Sequence, residues 1–469
     1  MRPWIAVAAA AASVTGLIPV MHDRATASDA SLRPLATAPP AAAAGSLAPQ
    51  APRSSASALG PAAAASAPSF LLVRAASSAT LLEPSAARGA ASSGIATRPT
   101  NAFAALPPLA GIDLTKIAIH EDGAIAPAPL GRVAHLTLNT DLQRVTQRIL
   151  REFRLPEAAV VLLDLSEGKI LVWASHVERG PLRDLCVEST APAASVFKIV
   201  TAAALVETAG VPADVRQCYS GGESRITSTD LIDDPKRDRW CATLGEAMGR
   251  SINTVFARLA VKNLSSPTLT SMAQSFGFGE SPPFDVPVGI SDVRIPEDRL
   301  GLGRTAAGFW NTTLSPLEGA MIAGTIANRG EMLRPVLVES VTDASGTLYE
   351  APKRSVLRRT IRPETAAALT AMMETTTSNG TSHRAFRDLE GRAFLPNISV
   401  AGKTGSLMRA ETQQFYTWFV GFAPSRAPEV AISVLAVNTP TWRAKANVVA
   451  RDVLRAYFAS RGASGVTRP

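Results

Sequence analysis

The 469-residue sequence has few residues of the types that bind metals or build disulfide frameworks: five histidines and three cysteines. The histidines are scattered and show no metal-ligand spacing, so we expect no metal site. An odd number of cysteines excludes a fully paired framework. Cys218 and Cys241 could form a disulfide and leave Cys186 over, but three unlinked thiols fit the sequence equally well.

The chain also lacks runs of like charge. Lysine plus arginine total 47 and aspartate plus glutamate 39, which gives a net charge of +8 at pH 7. The excess is spread along the chain, so it does not indicate nucleic-acid binding. A basic surface that faces anionic polymers of a cell envelope is compatible with this distribution.

Charge is absent from residues 3–21, which directly follow Arg2, and residues 25–27 read Ala-Thr-Ala. A basic start, an apolar stretch and an A-x-A site are typical of an export signal, so residues 1–27 are predicted to be a cleaved signal peptide. The alternative is an uncleaved anchor in the inner membrane, because residues 3–21 could nearly span a bilayer. Either way we expect the rest of the chain in the periplasm or another extracytoplasmic part of the cell envelope.

Residues 28–110 are rich in alanine, proline and serine and contain only seven charged residues. Such a composition cannot bury enough apolar surface to offset its ordering entropy, so we predict a disordered linker. A flexible chain of ~80 residues reaches about 50 Å, enough to hold a folded domain away from a membrane. The folded domain is predicted over residues 111–462, with a tail at residues 463–469.

Strand and helix patterns alternate within this predicted domain. Residues 134–153 read as a strand followed by a capped amphipathic helix, and residues 158–175 as a hairpin of two buried strands. Two further strands are predicted at residues 418–424 and 430–438, and a closing helix at residues 450–460. Strands at both ends with helices between them predict one mixed α/β domain whose sheet unites the two halves of the chain.

A lysine stands in an otherwise apolar stretch at residues 192–207, PAASVFKIVTAAALVE. Ser195 and Lys198 share a face of the helix predicted over residues 195–209. Desolvation should lower the pKa of Lys198 and leave a neutral amine that can activate the Ser195 hydroxyl. Ser195 falls in the first helical turn, where free N–H groups favour developing negative charge. Taken alone, however, the S-x-x-K pair is more simply explained as a serine at the start of a helix and a lysine whose ammonium group reaches solvent.

Two further motifs change that interpretation. They are Ser251-Ile252-Asn253 and Lys403-Thr404-Gly405-Ser406. Each alone has an ordinary explanation, a cap or turn for the first and a strand end for the second. Ser195 precedes Ser251 by 56 residues, and Lys403 follows Ser251 by 152 residues. In this order, S-x-x-K, S-x-N and K-T-G are the signature of penicillin-binding proteins and class A β-lactamases.

The sequence resembles the transpeptidase domain of penicillin-binding proteins over about residues 134–460. The resemblance extends to LTLNTDLQ at 136–143, GKILVWAS at 168–175, and segments at 314–335, 379–386 and 417–424. Two departures from the family pattern are the Pro-Ala-Ala that precedes Ser195 and the serine at 406, where threonine is commoner. Neither removes a needed group, since a serine hydroxyl still donates and accepts hydrogen bonds.

This resemblance implies an α/β (mixed α+β) fold with a central antiparallel five-stranded sheet flanked by helices, and an all-α lobe. It also implies that Ser195 attacks the penultimate D-Ala carbonyl of a D-Ala-D-Ala stem peptide and forms an acyl-enzyme. Lys198 would take the proton of Ser195, and Ser251 would relay a proton to the leaving amine. Backbone N–H groups of Ser195 and Ser406 would form the oxyanion hole, and no cofactor would take part.

The remaining motif residues are implied to bind substrate. Asn253 would hydrogen-bond the peptide backbone of the substrate. Lys403 would supply a positive field that lowers neighbouring pKa values and attracts the C-terminal carboxylate. The hydroxyls of Thr404 and Ser406 would hold that carboxylate, and Gly405 would let an extended peptide pair with the strand.

Several functions share this acyl-enzyme chemistry. Transfer to an amine gives a cross-linking D,D-transpeptidase, the predicted function, and transfer to water gives a D,D-carboxypeptidase. A class A β-lactamase would show Glu-x-x-Leu-Asn, which is absent, and residues 297–301 are a poor substitute. A β-lactam sensor needs cytoplasmic signalling parts, and almost nothing lies before residue 4.

The expected ligands are peptidoglycan stem peptides and β-lactams, and a glycosyltransferase or other cell-wall synthesis protein is a further expected partner. Residues 28–110 cannot fold into a glycosyltransferase, so a monofunctional, class B-like member fits best. We expect no nucleic-acid partner, and contact with the membrane only through the N-terminal segment.

Overall fold

The structure is a computed structural model of the chain. It describes residues 4–5, 106–309 and 311–464. Most of the predicted leader (1–27) and linker (28–110), and the end of the predicted tail (463–469), lie outside the described residues. Within the part of the chain that is described, no helix is both long and apolar enough to cross a membrane.

Short strands and helices alternate along the described chain. The strands are β1 Trp4–Ile5, β2 Ala118–Ile119, β3 Ala124–Ala128, β4 Arg132–Leu136, β5 Glu157–Asp164, β6 Ile170–Val177, β7 Ala191–Pro192, β8 Arg216–Tyr219, β9 Trp240–Thr243, β10 Thr313–Leu314, β11 Glu331–Leu333, β12 Val338–Asp343, β13 Gly346–Glu350, β14 Val356–Arg359, β15 Ala401–Arg409, β16 Gln414–Ala423 and β17 Val430–Asn438. The helices are α1 Thr140–Phe153, α2 Lys198–Glu207, α3 Leu244–Arg250, α4 Asn253–Asn263, α5 Ser266–Ser275, α6 Arg299–Ala306, α7 Pro316–Ala327, α8 Pro363–Ser378 and α9 Ala446–Ser464.

The central sheet is antiparallel throughout and has the strand order β1-β15-β16-β17-β5-β6. Its five long strands are the five-stranded sheet that the resemblance implies, and the two-residue β1 extends the edge of β15. Strands β15 to β17 come from the C-terminal part of the chain, whereas β5 and β6 precede the helical region. The sheet therefore unites the two halves of the chain, as predicted.

Both faces of the central sheet are covered. Val160 and Leu162 of β5 pack in one apolar cluster with residues of α1 and α9, and the alternate residues Val161 and Leu163 join a second cluster that includes α7. Burial on both faces explains why β5 reads as a continuous apolar run in the sequence. The predicted hairpin and the two predicted C-terminal strands are thus confirmed.

A second five-stranded antiparallel sheet, of order β13-β12-β4-β3-β2, was not predicted. The strand at the start of the predicted 134–153 unit is β4, and it belongs to this sheet. Helix α1 follows β4 as predicted, and the Asn139 side chain caps it by accepting from the Leu142 N–H at 2.9 Å.

The predicted all-α lobe is formed by α2 to α6 and α8, which pack against one another. Helix α2 lies at its centre and is mostly apolar, with Ile199, Val200 and Leu205 buried. The predicted helix 195–209 is divided: a 3-10 turn, Ala194–Phe197, leads directly into α2. Ser195 therefore stands in a tight turn before the α-helix begins.

The two cysteines whose pairing the sequence left open, Cys218 and Cys241, form a disulfide between opposite residues of β8 and β9. Cys186 is free and buried. Residues 219–240, here called the clasped loop, lie between the paired cysteines. Buried Arg258 of α4 holds this loop, since its guanidinium donates to the Asp238 carboxylate at 3.1 Å and to the Asp230 carbonyl at 2.6 Å.

Candidate active site

The turn that carries Ser195 is fixed by close backbone packing. Ala194 has a left-handed backbone, with φ 50°, which is strained for a residue other than glycine. Gly308 lies against this turn, and a Cβ placed on it would come within 2.3 Å of the Ala194 carbonyl oxygen. On the other side, the Trp418 indole N–H donates to the Pro192 carbonyl at 2.8 Å. These contacts leave the Ser195 hydroxyl in a defined place.

The side chain of Lys198 has no exposed surface and reaches back to the Ser195 turn. Its Nζ lies 2.8 Å from Ser195 Oγ, 2.7 Å from Asn253 Oδ1 and 2.6 Å from the Ala307 carbonyl oxygen. The ring of Phe256 lies 5.6 Å from the same nitrogen. A lysine in an apolar helix is thus accommodated by three polar contacts.

Burial lowers the pKa of Lys198 well below its ordinary value, and the positive charge of Lys403 adds to this effect. A neutral lysine amine has two N–H groups and one lone pair. The Asn253 and Ala307 oxygens can accept only, so they take the two N–H groups. The lone pair is then left for the O–H of Ser195, which is the geometry of a general base beside its nucleophile.

A second hydroxyl–amine pair lies across the cleft. Ser251 joins α3 to α4 with a left-handed backbone, φ 58°, and Asn253 begins α4. Lys403 Nζ donates to Ser251 Oγ at 2.9 Å and to the Thr404 carbonyl at 2.8 Å. Desolvation lowers the pKa of Lys403 to about 7. This lysine can therefore lose or carry its charge near neutrality.

The strand that carries the third motif is β15, the outermost of the five long strands of the central sheet. Thr404 Oγ1 hydrogen-bonds Thr381 Oγ1 at 2.6 Å. At Gly405, a Cβ would lie 3.2 Å from both the Ala193 carbonyl oxygen and Val196 Cγ2. The missing side chain of Gly405 thus makes room for the Ser195 turn of the same chain, a packing reason that the sequence did not reveal.

One cleft of about 500 Å³ brings the predicted residues together. Six of the eight line it: Ser195, Ser251, Asn253, Thr404, Gly405 and Ser406. The other two, Lys198 and Lys403, are buried beneath it and contact the two lining serines. Three segments that are far apart in the sequence therefore build a single site.

Sequence reasoning missed several residues of this site. Ala307 contributes only its backbone carbonyl, and Gly308 only the space for the Ser195 turn, so neither has a side-chain signal. Thr381 lies within the 379–386 segment whose family resemblance was noted, but no role was assigned to it. Glu223 also lines the cleft, and nothing in its local sequence marks it.

These pKa shifts predict a bell-shaped pH dependence for acylation of the site by a penicillin, with an alkaline limb near pH 7. At low pH, protonation of Lys198 removes the base, so the rate should fall. At high pH, Lys403, with its pKa of about 7, loses the charge that is predicted to attract the carboxylate. The second-order rate constant for a fluorescent penicillin, followed across pH, measures this profile. Lys353→Met, at an exposed lysine outside the cleft, should keep the same profile, and a pH-independent rate would contradict the assignment of the base.

The central sheet is antiparallel and covered by helices on both faces, and a serine–lysine pair lies at the junction of the sheet and the helical lobe. This is the arrangement that the sequence resemblance implies for a penicillin-binding transpeptidase domain. The penicillin binding protein transpeptidase domain family matches residues 158–458, more than half of the chain. The chain belongs to this family.

Curated relatives include the peptidoglycan D,D-transpeptidase PbpA of Mycobacterium tuberculosis. It is 29% identical over 317 residues, which are 60% of this chain and 62% of the relative. Stage V sporulation protein D of Bacillus subtilis is 25% identical over 329 residues, 65% of this chain and 49% of that protein. The chain thus aligns with less than two thirds of the length of these relatives.

Solved structures show the same fold. The crystal structure of PBPA from M. tuberculosis has a TM-score of 0.57 and 26% identity, and the match covers 69% of this chain and 80% of that chain. The imipenem acyl-enzyme complex of the same protein has a TM-score of 0.55 and 27% identity, over 69% and 80% of the two chains.

Proposed function

We propose that this protein is a peptidoglycan D,D-transpeptidase that acts on D-Ala-D-Ala stem peptides through an acyl-enzyme on Ser195, and that β-lactams acylate the same serine. The observation that carries the proposal is the 2.8 Å contact between Ser195 Oγ and the buried amine of Lys198, in a cleft that Ser251 also lines. Relatives named as peptidoglycan D,D-transpeptidases, and the imipenem acyl-enzyme of one of them, support it.

Acylation begins when Ser195 Oγ attacks the carbonyl carbon of the penultimate D-Ala and its proton passes to Lys198. Asn253 favours this step, because its Oδ1 accepts from Lys198 at 2.7 Å and keeps the amine aimed at the serine. The backbone N–H groups of Ser195 and Ser406 receive the developing oxyanion. Each such donor typically lowers the barrier by about 3 kcal/mol.

The leaving group departs with a proton. As the C–N bond of the D-Ala-D-Ala peptide breaks, the Ser251 hydroxyl delivers a proton to the departing amine nitrogen. Lys403 or Lys198 then returns a proton to Ser251 Oγ. Lys403 and the hydroxyls of Thr404 and Ser406 hold the C-terminal carboxylate in this scheme. Charged and hydroxyl donors around a carboxylate make the strong class of hydrogen bond.

The same proposal assigns the chain to the cell envelope. Residues 1–27 then direct export or anchor the chain in the inner membrane, residues 28–110 act as a linker, and residues 111–462 form the transpeptidase domain. The ligands would be stem peptides and β-lactams. A glycosyltransferase or another cell-wall synthesis protein would supply the glycan strands that carry the peptides.

The test supplies a D-Ala-D-Ala peptide with and without an amine acceptor and follows the products by mass. A transpeptidase should release D-Ala and form the new amide, whereas Ser195→Ala should form neither product. Hydrolysis alone would indicate a D,D-carboxypeptidase. An acyl-enzyme that never turns over would indicate a sensor, and rapid release of hydrolysed penicillin a β-lactamase. Each of these three results would overturn the proposal.

A further inference from the structure

Positively charged side chains outnumber negatively charged ones along the cleft. Arg250, Arg384 and Lys445 line it as exposed cations, and none of them forms an ion pair with any residue that the structure describes. Among the described lining residues, Glu223 is the single carboxylate. An incoming ammonium group therefore meets three like charges and one opposite charge.

These three cations lie on neighbouring segments of the cleft rim. The Gly249 carbonyl, next to Arg250, accepts from the Thr381 N–H at 3.0 Å. The Asn447 amide, two residues beyond Lys445, donates to Ser382 Oγ at 3.1 Å. The turn that carries Arg384 is thus tied to the segments that carry the other two cations. That rim suits the carboxylates of a peptide, and it repels an amine.

Glu223 lies on the clasped loop, on the Asn253 side of the cleft. Its backbone carbonyl accepts from Asn253 Nδ2 at 2.8 Å, and Asn253 Oδ1 accepts from Lys198 at 2.7 Å. Lys198 in turn lies 2.8 Å from Ser195 Oγ. Three successive contacts therefore connect Glu223 with Ser195 Oγ, the atom that would carry the acyl group.

The carboxylate of Glu223 is exposed and has no hydrogen-bond or ion-pair partner among the described residues. Its backbone, by contrast, is held firmly. The disulfide closes the loop, and the Thr254 hydroxyl donates to the Gly221 carbonyl at 2.7 Å. The loop thus presents an unpaired anion from a fixed main chain, which keeps the ordering cost of binding low.

We propose that Glu223 binds the ammonium group of the acceptor peptide and so favours transfer of the acyl group to that amine over transfer to water. The inference rests on the proposed function. Once held, the ammonium releases one proton to solvent. The neutral nitrogen then attacks the acyl carbon, a C–N bond forms, the C–O bond to Ser195 breaks, and the second proton returns to Ser195 Oγ.

The test measures the ratio of amide product to hydrolysed product formed from one D-Ala-D-Ala donor peptide in the presence of glycinamide as acceptor. In Glu223→Gln this ratio should fall by about two- to fivefold, the size expected for loss of one exposed ion pair. Glu223→Lys should lower it further. Hydroxylamine, which is neutral at the assay pH, should give the same ratio in wild type and both variants.

The matched control is Glu350→Gln, at an exposed glutamate on β13 that lies outside the cleft and should leave the glycinamide ratio unaltered. An unaltered ratio in Glu223→Gln and Glu223→Lys would overturn the inference. An equal loss with hydroxylamine would also overturn it, because the effect would then not depend on the acceptor's charge. If the wild type forms no acyl-enzyme, the proposed function itself fails, and this result is distinct from both.

Discussion

Replacement of Ser195 by alanine should abolish covalent labelling by a fluorescent penicillin. Ser195 Oγ is the hydroxyl within hydrogen-bond reach of Lys198 Nζ, and without it no oxygen is available to form the ester. The Cβ of alanine remains, so the tight turn at Ala194 and its contact with Gly308 should persist. Labelling is read by gel fluorescence, and the intact mass of the protein reports whether one acyl group has been added.

Ser281→Ala is the matched control for this prediction, since Ser281 lies outside the cleft. It should label as the wild type does. An unchanged midpoint of thermal unfolding in Ser195→Ala would show that loss of label is not loss of fold. Label that persists on another residue in Ser195→Ala would mean that the nucleophile has been assigned wrongly.

The substitution Lys198→Arg should slow acylation by about 10²- to 10⁴-fold, the usual contribution of a general base. A guanidinium keeps its proton at every accessible pH, so arginine would carry a fixed positive charge and could not accept the proton of Ser195. Desolvation has the opposite effect on the native lysine, whose pKa is lowered well below its ordinary value. The second-order rate constant with the same penicillin measures the difference.

A structural role for Lys198 would give another result. If its charge only held the cleft together, arginine would preserve most of the rate and Lys198→Met would lose it. The pH profile separates these cases, because the acid limb should disappear in Lys198→Arg. Lys353→Arg, at the exposed lysine, should alter neither rate nor profile.

Much of the site could be predicted from the sequence because its chemistry is carried by side chains in short motifs. The pair Ser195 and Lys198 needs only helical spacing to meet, and an ammonium in an apolar stretch is unusual enough to be noticed. The other two motifs gain meaning from their order along the chain. The structure brings all eight motif residues to one cleft, although their roles in catalysis stay predictions.

What could not be predicted depends on backbone atoms and on distant pairing. The Ala307 carbonyl and the space at Gly308 have no side-chain signature. Strand β4 shows its alternation in the sequence, but its partner β12 lies about 200 residues away, so the second sheet was missed. Gly405 was interpreted in terms of substrate, whereas its neighbours in the fold are Ala193 and Val196.

The disulfide between Cys218 and Cys241 closes the loop of residues 219–240, and this loop contacts the site through the side-chain amide of Asn253. The carbonyls of Gly222 and Glu223 accept from the Asn253 amide nitrogen, at 3.1 and 2.8 Å, and this orients its oxygen towards Lys198. Because the disulfide closes the loop that supplies both carbonyls, we expect its reduction to weaken this hold on the Asn253 amide as well as on the loop itself.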